Sequence, residues 1–257
     1  MATVAGTAAL EKSKARTEKI ARFDVHQILQ HIGLMTSFIL LVFTGLPLKF
    51  HEAQLSQWFA GILGGIETTR TIHHLAAYVM VFVCLYHGIY LIYTLSILKR
   101  PFPVKMIPNI QDFMNLFHEM LYFTGLLKTR PQFDRFNWRE KFDYWAIFWG
   151  MPVMAGSGFI LMYPVLATRY LPGWIVPASL IAHSDEAILA LTWIFLVHIF
   201  FNHFTPGYFP LNTSIFTGKL SVDHYQREHP LEYEKIRPTA AAKAAEKGND
   251  EIFTRNI

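Results

Sequence analysis

The chain has 257 residues, 52% of them hydrophobic and 15% aromatic, with only 16% charged and a net charge of +4. That charged fraction lies far below the roughly 25% of soluble domains, which argues against a water-soluble globule and for a membrane protein. The single cysteine, Cys84, excludes an intrachain disulfide, a CxxCH cofactor attachment and an iron–sulfur cluster ligated by this chain alone.

In chain order, residues 1–22 are polar and rich in Ala, Lys and Glu. With no apolar core before the first hydrophobic run, they read as a tail and not as a cleavable leader. Four runs free of Asp, Glu, Lys and Arg follow: Val25–Leu48, Thr71–Leu98, Tyr144–Thr168 and Ala187–Gly218. Each exceeds the roughly 20 apolar residues needed to cross a bilayer. The last run starts earlier, near Pro177, if Asp185 and Glu186 lie at the interface. Spans are expected at about 26–48, 73–98, 144–166 and 178–204, within a membrane domain over 23–218 that a tail, 219–257, follows. Between the second and third spans, Pro101, Pro103 and Pro108 precede Ile110–Phe123, where apolar residues recur at helical spacing. This predicts an amphipathic helix lying on a surface, either capping the bundle or serving as a lid or docking face. The fold class is an all-α membrane protein: a four-transmembrane-helix bundle with an amphipathic segment between helices 2 and 3. The segment Thr239–Lys247 is rich in Ala and Lys, and roughly the last 20 residues are expected to be poorly ordered.

Basic residues orient the spans. The N-terminal tail carries five, the second loop (Lys99–Lys141) eight and the C-terminal tail seven, against two in the first loop and one in the third. Cytoplasmic segments are the ones enriched in Lys and Arg, so both termini and the amphipathic segment are expected on the cytoplasmic side of the inner membrane.

Histidines carry the chemical signal. His73 and His87 are 14 residues apart, and His183 and His198 are 15 apart. In an α-helix such steps return to within about 40° and 60° of one face and cover about 21–22 Å. An imidazole in lipid needs a partner, so intramembrane histidines are functional candidates by default. His73 and His183 fall at one depth near the outer face; His87 and His198 fall at another, farther in. Opposed imidazoles at matched depth are what bis-imidazole ligation of a haem requires, and two levels imply two b-type haems. His31, in the first span, shares the depth of His87, so either residue could face His198. His203 adds a surplus imidazole, open to three readings: a quinone partner, a hydrogen-bonded structural residue or a ligand of a third haem. His26 is expected at the interface, and His74 to face elsewhere than His73. His51, His118, His224 and His229 are expected to be solvated. Asp185 and Glu186 read either as acids favoured near a helix N-terminus, or as carboxylates that orient His183 or accept a proton near the outer haem. Gly33, Gly45, Gly150, Gly156 and Gly158 mark close approach of a helix or a flat macrocycle. Tryptophans such as Trp193 fit the interfacial belt.

The stretch His31–Leu48 (HIGLMTSFILLVFTGLPL) resembles the first span of prokaryotic di-haem b-type cytochromes, the superfamily of the cytochrome subunits of membrane-bound formate dehydrogenase and nickel–iron hydrogenase. There a His about 13 residues before a Thr-Gly pair ligates the inner haem, an offset matched here by His31 and Thr44–Gly45. Ile72–Ala76 (IHHLA) is similar to the outer-haem motif and carries over onto His73. His183 to Pro210 resembles a branch whose members accompany multihaem c-type cytochromes. The chain departs from the formate-dehydrogenase pattern in having His87, His203 and a 15-residue rather than 14-residue step in the fourth span. The His73/His87 and His183/His198 steps look instead like those of the cytochrome b of quinol-oxidising bc complexes. The two likenesses agree on His73, His183 and His198 and differ over His31 and His87.

The expected protein is an electron-transfer subunit of an oxidoreductase complex. It would link the quinone/quinol pool to a periplasmic partner, a multihaem c-type cytochrome or an iron–sulfur or catalytic subunit. The expected cofactor-binding and metal-ligating residues are His31, His73, His87, His183, His198 and His203, with haem b at two sites or, if the surplus histidines ligate, three. The expected surroundings are membrane lipid, and nothing points to nucleic acid. The rival readings are a haem-free membrane anchor and a transporter subunit; the transporter would more often show broken helices or repeated halves.

Overall fold

The structure, a computed structural model, describes residues 19–204 and 209–237. The tail before residue 19 and the final stretch expected to be disordered lie outside the described residues. The described residues divide into two compact units, one within Ala21–Val104 and Arg139–Leu220, the other drawing on Lys105–Trp138 and Ser221–Arg237.

The first unit holds the four long helices. α1 (Val25–Lys49) starts on a capping box, in which Asp24 Oδ1 accepts from the Gln27 N–H at 2.9 Å and Gln27 Oε1 accepts from the Asp24 N–H at 3.0 Å. This pairing satisfies two of the donors that a helix start leaves orphaned. A short α2 (Gln54–Ile62) leads to α3 (Ile66–Ile92), which a π-helical turn, Tyr93–Ile97, extends. α4 (Ile110–Phe123) belongs to the second unit. α5 (Trp138–Met162), the short α6 (Pro164–Tyr170) and α7 (Ile175–Trp193) complete the long elements, and π-helical turns over Ile194–Phe204 prolong α7. The four long elements, continuations included, are long and apolar enough to cross a membrane.

Their surfaces are inverted relative to a soluble bundle. Leu29, Phe43, Leu75, Phe82, Leu85 and Ile89 face outward, while Gln30, Ser37 and Thr44 of α1 are buried at a seven-residue step. On α3 the buried Thr69, Ala76 and Val83 repeat that step. A heptad seam is how two helices stay in register along their length. In lipid it works through small and polar residues, since hydrocarbon is as apolar as leucine. At Gly33 the approach is closest: a Cβ there would sit 2.8 Å from Val83 Cγ2.

Three helices begin before the uncharged runs do. α3 starts at Ile66, α5 at Trp138 and α7 at Ile175. Hydropathy marks where a helix crosses hydrocarbon, and hydrogen bonding carries it beyond. Asp185 and Glu186 therefore lie well inside α7 and not in its first turn. Asp143 lies within α5.

α8 (Ser214–Thr217) ends at Gly218, with φ +70°, whose carbonyl accepts from the Arg22 and Phe23 N–H groups at 2.8 and 3.1 Å. A Cβ at 218 would lie 2.6 Å from the Phe23 carbonyl oxygen, so this turn requires glycine. Two three-residue strands, β1 (Lys19–Ala21) and β2 (Lys219–Ser221), pair into a small sheet.

In the second unit, α4 occupies the segment read as amphipathic, capped by Asn109, whose Oδ1 accepts from the Gln111 and Asp112 N–H groups. Ile110, Phe113, Met114, Phe117 and Met120 are exposed along it. α9 (Val222–Glu228) and α10 (Pro230–Ile236) show that the first part of the C-terminal tail is folded. The buried Glu119 carboxylate accepts from Arg130 Nε and from Trp138 Nε1, each at 2.9 Å. Arg130 also donates to Glu228 at 3.0 Å, and Lys105 pairs with Glu232 at 2.5 Å. His224 and His229, expected to be solvated, are instead 8% and 2% exposed. His229 Nδ1 donates to the Asp134 carbonyl at 2.8 Å, and its ring packs against Tyr225. An imidazole with a backbone acceptor and an aromatic neighbour is readily buried, and tail position alone conceals that.

Candidate functional site

The first unit brings histidines together in two pairs. His73 of α3 faces His183 of α7, their ring centroids 6.3 Å apart and their planes crossed at 70°. His31 of α1 faces His198, in the π-helical continuation of α7, at 6.2 Å with planes at 25°.

Each imidazole of the first pair is fixed by a hydroxyl from the preceding long helix, α1 for His73 and α5 for His183. Thr44 Oγ1 donates its proton to the Leu40 carbonyl at 2.6 Å and lies 2.9 Å from His73 Nδ1. Having given its own proton away, the hydroxyl accepts at His73, so His73 carries hydrogen on Nδ1 and leaves Nε2 with a bare lone pair. Ser157 repeats the arrangement: its Oγ donates to the Val153 carbonyl at 2.5 Å and accepts from His183 Nδ1 at 3.0 Å. The Met154 carbonyl, at 3.2 Å, is a second acceptor for that N–H. This tautomer is the one suited to binding metal through Nε2.

The glycine after each hydroxyl residue clears room for the ring. A Cβ on Gly45 would sit 3.2 Å from His73 Cε1, and one on Gly158 would sit 3.1 Å from His183 Cε1. Thr44–Gly45 and Ser157–Gly158 are thus the same device used twice, once in each helix pair. Only Thr44–Gly45 enters the sequence argument, and there as a spacing marker. A hydroxyl residue followed by glycine within an uncharged run, with the next span carrying an early histidine, is the signal that exposes both.

The second pair is held differently. His198 Nδ1 lies 2.8 Å from Asp143 Oδ2, while Asp143 Oδ1 accepts from Trp193 Nε1 at 2.6 Å. Trp193, read from sequence as an interfacial residue, positions this carboxylate. The Nδ1 of His31 is buried without a hydrogen-bond partner. The 15-residue step from His183 overshoots the starting face by about 60° in an α-helix. The π-helical turns take more residues to complete a circle, and so absorb most of that overshoot.

The remaining candidates lie elsewhere. His87 has both ring nitrogens engaged, Nδ1 by Gln30 Oε1 at 2.8 Å and Nε2 by the Tyr144 hydroxyl at 3.3 Å, and no ring contact joins it to His198. His203 Nδ1 accepts from the Asn212 N–H at 3.1 Å. His26 Nδ1 pairs with the Tyr86 hydroxyl at 2.6 Å. Asp185 pairs with Lys49 at 3.7 Å, and the acceptors at His183 are Ser157 and Met154.

Four bilayer-length helices, three of which bring imidazoles face to face in two pairs, define a helical membrane protein. More specifically, the chain belongs to the prokaryotic cytochrome b561 family, whose model matches residues 22–206. It is a membrane b-type cytochrome that binds haem b and transfers electrons. A comparison with curated proteins returns no match.

Proposed function

We propose that the chain carries two haems b, one between His73 and His183 and one between His31 and His198, and passes electrons between quinone and a periplasmic redox partner. One observation carries this reading. A metal ion about 2 Å from a nitrogen of each of two facing imidazoles, each nitrogen about 1.1 Å from its ring centre, would set the ring centroids about 6 Å apart. The two pairs stand at 6.3 and 6.2 Å.

Haem iron supplies reversible one-electron chemistry. The protein's residues do the rest. Thr44 and Ser157 fix the tautomer and direction of one ligand pair; Asp143 fixes those of His198. Gly45 and Gly158 let the rings sit tight against α1 and α5. The partners already held by His87 and His203 support two haems and not three. With 20 of the 23 basic residues in the tails and second loop, the termini face the cytoplasm. The His31/His198 level is then the inner one, and His73/His183 the outer. Quinone reacts near the inner level. The outer level serves the periplasmic partner, a multihaem c-type cytochrome or an iron–sulfur or catalytic subunit.

The test is haem content with spectroscopy. The purified protein is expected to show a b-type α-band in its reduced-minus-oxidised spectrum and two haems per chain. His183→Ala and His198→Ala should each remove one haem and spare the other. Near-perpendicular imidazoles leave a ferric low-spin EPR signal strongly anisotropic, and near-parallel ones make it rhombic. With planes at 70° and 25°, His183→Ala should therefore delete the more anisotropic of two signals. A preparation without haem despite ample supply, or an unchanged ratio in both variants, overturns the assignment.

A further inference from the structure

We propose that Asp143, acting through His198, sets the haem potential of the His31/His198 level below that of the His73/His183 level. The inference rests on the two-haem reading above and adds an ordering of the levels.

The two pairs differ in what their Nδ1 atoms meet. At His73 and His183 the partners are neutral, a threonine hydroxyl for one and a serine hydroxyl with a backbone carbonyl for the other. At His198 the partner is a carboxylate, 2.8 Å away with its side chain 17% exposed. The Asn202 side-chain amide, 3.3 Å from the same nitrogen, is the other polar group there. A carboxylate accepting the Nδ1 hydrogen draws the imidazole toward imidazolate and raises its basicity as a ligand. A more basic ligand and a nearby negative charge both favour ferric over ferrous iron, and low dielectric strengthens the charge effect. Because Trp193 donates to the other oxygen at 2.6 Å, the carboxylate is held in place and its charge partly withdrawn. Asp143 is therefore a positioning and tuning residue, with Trp193 moderating it.

The ordering has a functional consequence. With haem held at both pairs, this ordering would make electron transfer from the His31/His198 level to the His73/His183 level downhill, which would favour delivery from quinol toward the periplasmic partner. Oxidation at one level balances reduction at the other, and no further reactant enters.

Potentiometric titration of the detergent-purified, haem-loaded protein tests this, followed in the visible band and by EPR. Two midpoint potentials are expected. The lower should persist in His183→Ala, which keeps only the His31/His198 level. Asp143→Asn should shift that lower potential positive and leave the other unmoved, and Asp143→Glu should restore most of the native value. If Asp143→Asn loses its haem, Trp193→Phe decides: freeing the carboxylate should move the lower potential further negative. Unchanged potentials in loaded Asp143→Asn, an equal shift in Asp143→Glu, or no negative shift in Trp193→Phe would each sink the inference while leaving the two haems standing. A protein that takes up no haem would instead sink the function proposed above.

Discussion

Thr44 and Ser157 show how much a single hydroxyl can decide. Each donates to its own helix four residues back and is left only with lone pairs for the imidazole. Residues that orient a metal ligand typically matter by 10–100-fold in affinity when removed. Thr44→Val preserves shape but removes the acceptor at His73, and is expected to weaken haem retention about tenfold. Ser157→Ala should act in the same direction at His183, where the Met154 carbonyl remains as a second acceptor. Rates of haem loss to a scavenging apoprotein measure both, and equal rates for Thr44→Val and the native chain would show the hydroxyl to be incidental. The histidines were legible in sequence because a titratable ring stands out in an uncharged run. Their partners were not. Serine and threonine are common in such helices, and Asp143 lies one residue outside the run that defines the third span, where a charge reads as the end of a helix and not as part of a site.

At the scale of elements, the pairing of α1 with α3 depends on a seam of small residues. Gly33 faces Val83 so closely that an added Cβ would come within 2.8 Å of its Cγ2. Overpacking a tight contact costs about 1–3 kcal/mol. Gly33→Ala should destabilise the bundle by about that amount, and adding Val83→Ala should recover most of it. The thermal midpoint of the detergent-solubilised protein reads this; no recovery in the double variant would mean that Gly33 serves some other neighbour. The same contact gives the first span its register, bringing His31 and Thr44 to their respective levels. Helical period and charge-free length made the spans readable. The π-helical end of α7 was not readable, because i→i+5 hydrogen bonding leaves no compositional mark; only the 15-residue histidine step hinted at it. α9 and α10 were obscured by polarity, since their burial rests on Tyr225, His229 and ion pairs rather than on an apolar stripe.

At the scale of the whole molecule, the two units should respond differently to their surroundings. Outside the membrane helices, burial lowers the pKa of His224 from its ordinary 6.5 to about 4, with the Arg227 and His229 charges assisting and Glu228 and Asp223 opposing. The unfolded chain therefore binds this proton first. His224's contribution is present in full above about pH 6.5 and is lost as pH falls toward 4. Limited proteolysis of the Ser221–Arg237 region should accelerate across that interval, and less so in His224→Gln. Equal acceleration in both would place the acid sensitivity elsewhere.

Sidedness is the property on which the proposed inner and outer assignments depend, and the proposal for it rests on charge alone. Loops on the translocated side are poor in Lys and Arg because moving cations across the membrane is disfavoured, and the imbalance here is 20 to 3. The native thiol, Cys84, lies inside the second span and can be replaced by serine to give a silent background. In that background Glu52→Cys, in the exposed first loop, should react with a membrane-impermeant maleimide in intact spheroplasts. Lys128→Cys, exposed in the second loop, should react only after the membrane is opened. The reverse pattern would invert the protein and exchange the two levels. The His31/His198 level, with its carboxylate, would then face the periplasm, and quinone chemistry would have to be sought beside Thr44 and Ser157. Haem content in the silent background guards against a misfolded reporter, since a chain that still binds two haems has kept its spans in order.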